Sequence, residues 1–344
     1  MSRFVHKEAA ASTVAFFSGS YPPDVCGVGD HTYALAQEAQ RQGAQCLILR
    51  RMWCSVLWLL SHRGHGRNLC VVYPTARYGK SVAPHAAAWV GRLLGWKVSC
   101  IIHELSTLNR RARVAARVMF AASDTVFFTT QREIDLAVAD SPWLLNRCSL
   151  LPISSNVPQS ADALTGEKRR SLCYFGCLSP GKGIEQFMEV RSMLPDVDAH
   201  MIGATSSKFT DYCEAIIEQC RANDVQAYLN EPLDKVSEML ADMVVALLPF
   251  PDGVSHRRGS ALAALLNGAI VVTTPPLLGA EVLSDICLCC SESENMASAV
   301  RHALAMSDSE LQLLRHRGVE FAMLNSWPRV TSLFLEKLAK RDRT

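Results

Sequence analysis

The feature that most constrains this chain is its rhythm: short runs rich in β-branched and aromatic residues alternate with stretches of helical period from residue 13 onward. Residues 13–17, 45–49, 69–73, 98–103 and 125–129 read as strands separated by helical patterns, which is the punctuation of successive βαβ units. The second half repeats it. Residues 171–176, 199–203, 244–249, 270–274 and 286–289 read as strands, with helices expected over 183–193, 208–222 and 260–267. Near-continuous apolar strands arise when helices cover both faces of a parallel sheet, so both halves are expected to be doubly wound α/β, Rossmann-like domains.

With 344 residues and 49% hydrophobic content, the chain is long for one core and comfortable for two. Residues 152–170, PISSNVPQSADALTGEKRR, are rich in Pro, Ser and polar residues and lack a sustained apolar period. The expected division is a domain over 1–152, a linker over 153–170 and a second domain over 171–325. A terminal helix over 326–344 is a candidate to return to the first domain. Charged residues make up 20% of the chain with no low-complexity block, so extended disorder is not expected.

The formal net charge of +2 conceals an asymmetry. Residues 1–150 carry 17 basic and 9 acidic side chains, whereas the remainder carries 18 and 24. A positive half suits an anionic partner. Neither an Arg-rich helix nor an aromatic ladder points to nucleic acid. The 13 cysteines are sparse, odd in number and mostly set in apolar runs, as are Cys70 and Cys100, so they read as reduced core thiols. Cys287, Cys289 and Cys290 lack the paired spacing of a zinc site, and no metal is expected. With no signal-peptide layout and no apolar run near the ~20 residues a membrane span needs, a cytoplasmic protein is expected.

Three loops carry candidate chemistry. After the first strand, SGSYPPDVCGVGDHTYALAQEAQRQG places Gly27 and Gly29 before a helix expected from about Asp30. Such glycines let backbone approach a ligand, and the helix start offers free N–H groups to anionic oxygens. The turn is not a dinucleotide fingerprint, because the third glycine is missing. In the second half, CLSPGKGIEQF puts Gly181, Lys182 and Gly183 at a strand-to-helix turn, where a cation and a helix dipole converge on one point and suit a diphosphate. The third loop, PFPDGVSHRRGSALAALLNGAIVVTT, sets Ser255, Arg257, Arg258, Gly259 and Ser260 after a strand, at the carboxyl edge where open α/β sheets bind ligands.

In order and spacing these segments resemble the GT-B glycosyltransferases, most closely glycosyltransferase family 4 members that build bacterial surface and exopolysaccharides. The resemblance covers nearly the whole chain. YFGCLSPGKGIEQFMEV is similar to the family's "GRL-x-x-x-KG" segment, and LADMVVALLPFPDGVSHRRGSALAALLNGAIVVTT to its "AD-x-x-x-x-P…G…G-x-P-V-V" donor segment. CIIHELSTLNR is similar to the stretch with the family's active-site histidine, here His103. The resemblance implies two Rossmann-like domains facing a cleft, with no cofactor beyond a UDP- or GDP-sugar co-substrate. Gly27, Gly29, Gly181, Lys182, Ser255, Arg257, Arg258, Gly259 and Ser260 would bind the donor. Asp30, His103 and Glu104 would lie on the acceptor side, and His103, Lys182 and Arg258 would serve catalysis. Two departures stand out. Cys177 replaces the arginine that precedes the "KG" lysine. The Glu-x7-Glu pair, aligned through Gly268, falls on Ser255 and Ala263, neither of which is a carboxylate.

The resulting expectation is a metal-independent glycosyltransferase acting on a glycan or lipid-linked acceptor in bacterial polysaccharide biosynthesis. A non-catalytic GT-B partner protein and, less favoured, a nucleotide-sugar epimerase are the alternatives. A last segment, RRMWCSVLWLLSHRGHGR, frames apolar residues with basic ones, so Arg50, Arg51, Trp53 and Trp58 are candidates to rest on an anionic membrane at the inner face of the cytoplasmic membrane. The competing reading of that segment is an ordinary core helix with basic ends.

Overall fold

The computed structural model describes residues 13–340 apart from residues 25, 63–66, 76, 79–80 and 167, and leaves the side chains of residues 52–54 and 340 undescribed. The chain divides into two compact units: Pro152–Ser326 form unit 2, and the residues on either side form unit 1.

Unit 1 runs β1 (Thr13–Phe17), α1 (Gly27–Arg41), β2 (Gln45–Leu49), α2 (Met52–Ser61), β3 (Arg67–Tyr73), α3 (Ala83–Leu93), β4 (Lys97–Ile102), α4 (Arg110–Ala122), β5 (Thr125–Phe128), α5 (Gln131–Asp140) and β6 (Cys148–Leu150). Its strands are all parallel and lie in the order β2-β1-β3-β4-β5-β6. The order reverses beside β1, so right-handed crossovers place α1 on one face and α2 to α5 on the other. Alternate residues of one strand therefore enter different cores: Ala15 and Phe17 join the α2–α5 side, while Val14 and Phe16 join the α1 side. Cys70 and Cys100 are buried thiols on β3 and β4.

Unit 2 runs β7 (Arg169–Cys177), α6 (Ile184–Ser192), β8 (Ala199–Ala204), α7 (Thr210–Ala222), β9 (Val225–Leu229), α8 (Leu233–Asp242), β10 (Met243–Leu248), α9 (Gly259–Leu266), β11 (Ile270–Thr273), β12 (Leu288–Cys289), α10 (Ser293–Ala305) and α11 (Asp308–Leu324). These strands are also parallel, in the order β12-β11-β10-β7-β8-β9. The reversal here lies between β7 and β10. Two strands exceed the ten expected from pattern. β6 has only three residues, and β9 is an edge strand whose Gln226 and Ala227 are exposed, so neither presents a sustained apolar run.

The stretch expected as a linker, 153–170, is bound to unit 2 over much of its length. Val157 and Ala163 are buried. The Asn267 amide accepts from Ser160 N at 2.8 Å and donates to Pro158 O at 3.1 Å, and Arg315 donates to Ala163 O at 2.9 Å. Lys168 Nζ donates to the carbonyls of Ala241, Met243 and Asn267 at 2.7, 3.1 and 3.2 Å, and β7 begins at Arg169. Polar composition here marks a segment held through hydrogen bonds.

The last helix, α12 (Trp327–Lys340), groups with unit 1. Phe334 is fully buried, its ring 5.8 Å from that of Phe16 and 5.2 Å from that of Phe127. Gln42, at the end of α1, donates to Pro328 O at 2.9 Å and accepts from Ser332 Oγ at 3.0 Å. Among the described residues no helix is long and apolar enough to cross a membrane.

Candidate functional site

In an open parallel sheet the crevice for a ligand forms where the strand order reverses, because helices leave in opposite directions there and their starts diverge around a gap. In unit 2 that position lies over β7 and β10, and two of the three loops singled out in the sequence follow those strands. Their backbones touch. Gly183 has φ 78°, a left-handed conformation, and a Cβ at that position would stand 1.7 Å from Pro249 O. Only glycine fits. The "KG" turn is thus locked against the first residue of the β10 loop, although the two are far apart in sequence.

Several side chains stiffen the arrangement. The Tyr174 hydroxyl, on β7, donates to Lys182 O at 3.1 Å and supports the turn from beneath. Burial pushes that phenol well above its usual pKa, and the positive charge of Arg258 acts in the opposite direction on the same group. Thr273 and Thr274 donate to Leu248 O and Phe250 O at 2.6 and 2.7 Å, tying the β10 loop to the end of β11. Lys182 itself is exposed, and Gly181 and Gly259 border open space.

Arg258 is more constrained. Its guanidinium carbon lies 4.6 Å from the centre of the Phe250 ring, and it pairs with Asp252. The Arg258 Nε is buried and has no hydrogen-bond partner. Arg257, Gly259 and Ser260 are half-buried beside it; Ser255 is buried and accepts from Arg257 N at 3.4 Å. Ala263 is buried in α9, so no carboxylate occupies either position aligned with the Glu pair. Cys177 is half-buried at the end of β7.

The helices that open at these loops, α6 and α9, begin without a side-chain cap, as does α1, so their first N–H groups are not satisfied by capping side chains. Absence of a cap alone distinguishes nothing, since α2, α3, α7, α8 and α10 also lack one. The pair α6 and α9 is set apart by starting from adjacent strands at the reversal of the sheet.

Unit 1 places its candidates differently. Gly29 is packed against the loop after β1, where an added Cβ would meet the Ser20 carbonyl carbon at 3.0 Å, while Gly27 borders open space. Asp30 is half-buried in the first turn of α1, and burial raises its carboxyl pKa. His103 follows β4 and is buried, with its ring edge-on to His31 at 4.7 Å; Glu104 is exposed. His31, which sequence reasoning passed over, is also edge-on to Trp327 at 5.1 Å. Neither His31 ring nitrogen has a hydrogen-bond partner, and burial pulls its pKa down to about 4. No local signal marks His31, because its burial depends on α12 returning from the far end of the chain. Asp252 and Tyr174 were likewise missed: their roles depend on where Arg258 and Lys182 fall in space.

Of the membrane candidates, Arg50 pairs with Asp24 in the loop after β1. Trp58 is half-buried, stacked on His62 at 4.3 Å and tilted against Trp96 at 5.6 Å. Arg51 is exposed, and the Trp53 side chain lies outside the described residues. These placements favour the core reading of that face of α2. Among the described residues no group of His, Cys, Asp and Glu is arranged to hold a metal ion.

No protein-family model and no curated protein sequence matches the chain. Solved structures do match. A glycosyltransferase from Rickettsia africae superposes with a TM-score of 0.74 at 10% identity, covering 98% of this chain and 100% of that one. HepE from Anabaena, solved with UDP and glucose, gives 0.63 at 14% identity over 96% and 100%. The catalytic domain of starch synthase IV from Arabidopsis thaliana, bound to ADP and acarbose, gives 0.66 at 9% identity over 96% and 100%. At such identities the likeness establishes architecture: the chain has the fold of the GT-B glycosyltransferases, two parallel-sheet α/β units of six strands each.

Proposed function

We propose that this protein transfers a sugar from a UDP- or GDP-linked donor to a glycan or lipid-linked acceptor in polysaccharide assembly. The observation that carries the reading is the contact between the Gly183 turn and the Pro249 loop at the reversal of the unit 2 sheet. That contact sets an exposed lysine, a half-buried arginine and two uncapped helix starts along one strand-end edge. Such an arrangement suits a nucleoside diphosphate, whose charge grows as the sugar departs, and it stabilises that charge without a metal ion. Lys182 would neutralise the leaving diphosphate directly, whereas Arg258 would exchange its Asp252 partner for a phosphate oxygen. With Ser255 and Ala263 in place of carboxylates, contacts to the ribose and sugar hydroxyls would fall to Ser255, Arg257 and Ser260. In unit 1, Gly27 and Gly29 would admit donor phosphate and acceptor. Asp30, its carboxyl proton held more tightly by burial, and the exposed Glu104 are suited to hydrogen-bond an acceptor hydroxyl. His103, edge-on to His31, would act as a positioning group.

Calorimetric titration with UDP and GDP in the presence of EDTA tests the reading. One nucleotide should bind at a single site, and Lys182→Ala should weaken it at least tenfold. Equal binding by the wild type and a Lys182→Ala/Arg258→Ala variant would refute the assignment. The missing carboxylates at Ser255 and Ala263 favour a second reading, a nucleotide-binding partner protein without turnover. Radiolabelled donors separate the two, since that reading requires binding with no transfer to any acceptor.

A further inference from the structure

The loop after β4, residues 103–109, is pinned on both sides of Glu104. At its start His103 N donates to Tyr73 O at 3.1 Å, and the Thr129 hydroxyl donates to His103 O at 3.1 Å. Two residues past Glu104 the holder is a carboxylate from another helix: the N–H and the hydroxyl of Ser106 donate to the two oxygens of Glu133, at 3.0 and 2.5 Å. Leu105, between them, is buried, while Glu104 and Ser106 are exposed. The backbone is thus fixed before and after an acid that faces solvent.

Glu133 is an unusual place for a charge. It lies in the first turn of α5 and is 1% exposed. A buried carboxylate is costly unless hydrogen bonds and nearby dipoles offset its lost hydration. Both are supplied here, by charge-assisted bonds from Ser106 and by the positive end of the α5 macrodipole. The local sequence assigns Glu133 a different task. Thr130, Gln131, Arg132 and Glu133 have the pattern of a capping box, in which the acid turns back onto its own helix start. Glu310 does this at α11, accepting from Ser307 N at 2.9 Å. In α5, Thr130 performs its half by accepting from Glu133 N at 3.3 Å, but the carboxylate reaches Ser106, 27 residues away in sequence. Water could satisfy the exposed Ser106, so the distinctive consequence of spending a buried acid there is a loop held in one conformation.

We infer that Glu133 is a positioning residue for sugar transfer: its carboxylate fixes the loop after β4 so that Glu104 meets the acceptor hydroxyl in one orientation. The inference rests on the reading of Glu104 as an acceptor-side group. A side chain that hydrogen-bonds the attacking hydroxyl acts only within hydrogen-bond reach, and a misplacement of ~1 Å can cost ~10²-fold in rate. Buried behind Ser106, Glu133 acts through the loop.

Glu133→Met provides the test, because it fills a similar volume and offers Ser106 no carboxylate. Hydrogen–deuterium exchange, which needs no activity, should show the Ser106 amide exchanging at least ~10-fold faster in the variant than in the wild type. In a transfer assay kcat/KM for the acceptor should fall ~10–100-fold, with the affinity for UDP or GDP unchanged. Glu133→Gln, whose amide can accept from Ser106 N and donate to Ser106 Oγ, should recover most of the loss. Ser106→Ala keeps the backbone donor and should lower acceptor kcat/KM about threefold, the range for one hydrogen bond; its exposed side chain makes it the variant to use if Glu133→Met does not fold. In a Glu104→Ala background Glu133→Met should add less than ~2-fold, whereas a merely structural role would add its full loss. Unchanged exchange at Ser106 overturns the inference whether or not the protein transfers sugar. Wild-type acceptor kcat/KM in Glu133→Met or in Ser106→Ala, or a full additional loss in the Glu104→Ala background, overturns it as well. A wild type that transfers no sugar is a failure of the transfer reading instead, told apart by faster exchange at Ser106 in Glu133→Met, which upholds the hold of Glu133 on the loop.

Discussion

Unit 1 and unit 2 share an architecture, six parallel strands with a glycine-bearing loop after the first, yet their strand ends are filled in opposite ways. In unit 2 the loops after β7 and β10 meet backbone to backbone and leave Lys182 exposed. In unit 1 Gly27 and Glu104 are exposed, but the histidines behind them are covered: His31 and His103 are buried against each other, and Trp327 of α12 packs on His31. A shared fold thus fixes where a site can form, and the loop side chains decide whether the position is open to a ligand or sealed into a core. One unit has the geometry of an anion site. The other has a histidine pair sealed behind loop residues that stay exposed.

The sharpest test of that contrast is to unseal unit 1. Phe334→Ala removes a fully buried ring from between Phe16 and Phe127 and should cost ~3–5 kcal/mol of unfolding free energy in urea titration. Nucleotide titration in the absence of urea should be little changed. A large loss of nucleotide affinity in the folded variant would break the separation drawn between the units. Acting on the other side of the comparison, Lys182→Ala should lower kcat by ~10²–10³-fold, the range for removing one preorganised group that stabilises developing charge. Its melting temperature should match the wild type, because the side chain is exposed. A wild-type kcat in a verified transfer assay would remove Lys182 from the mechanism.

His31 supplies the next largest effect, confined to unit 1 and to mildly acidic pH. Its pKa is lowered by burial from 6.5 to about 4, so between those values the unfolded chain takes up a proton that the folded unit does not. The contribution of neutral His31 to stability is therefore fully present above pH 6.5 and is lost as the pH drops towards 4, by up to ~3 kcal/mol. His31→Leu should flatten that slope in urea titrations at pH 7 and pH 5. Identical slopes in the two proteins would show that His31 takes up its proton over the same pH range in the folded unit as in the unfolded chain. In unit 2 a change of comparable size is expected for Gly183→Ala, which forces a side chain into a left-handed backbone and against Pro249 O. Strain and displacement of the loop together should cost ~2–5 kcal/mol in unit 2. Nucleotide affinity should fall with it, because the turn that carries Lys182 moves. A variant with unchanged stability and affinity would mean that the contact does not organise the site.

Most of what is local was legible in the sequence. β1 and β2 occupy residues 13–17 and 45–49 as the apolar runs indicate, and α6 and α9 start within a residue of the expected turns. A buried parallel strand and a strand-to-helix turn each have their own composition, set by pleat, burial and backbone freedom over a few residues. The exceptions follow from the same cause: β6 is too short to show a period, and β9 is half in solvent.

Contacts between distant segments were decided only by the tertiary structure. Nothing in GKG or in PFPDG says that Gly183 lies against Pro249, because that depends on β10 pairing with β7 after the chain has passed through β8 and β9. The pairing of His31 with His103 and Trp327 needs β1, β4 and the last helix brought together. The amino-acid order by itself determined the elements and the residue types at their ends, since those obey short-range sterics and burial. Which ends meet, which cations find an acid and which histidine loses its water were decided by sheet order and crossover handedness, which act between residues that no local pattern connects.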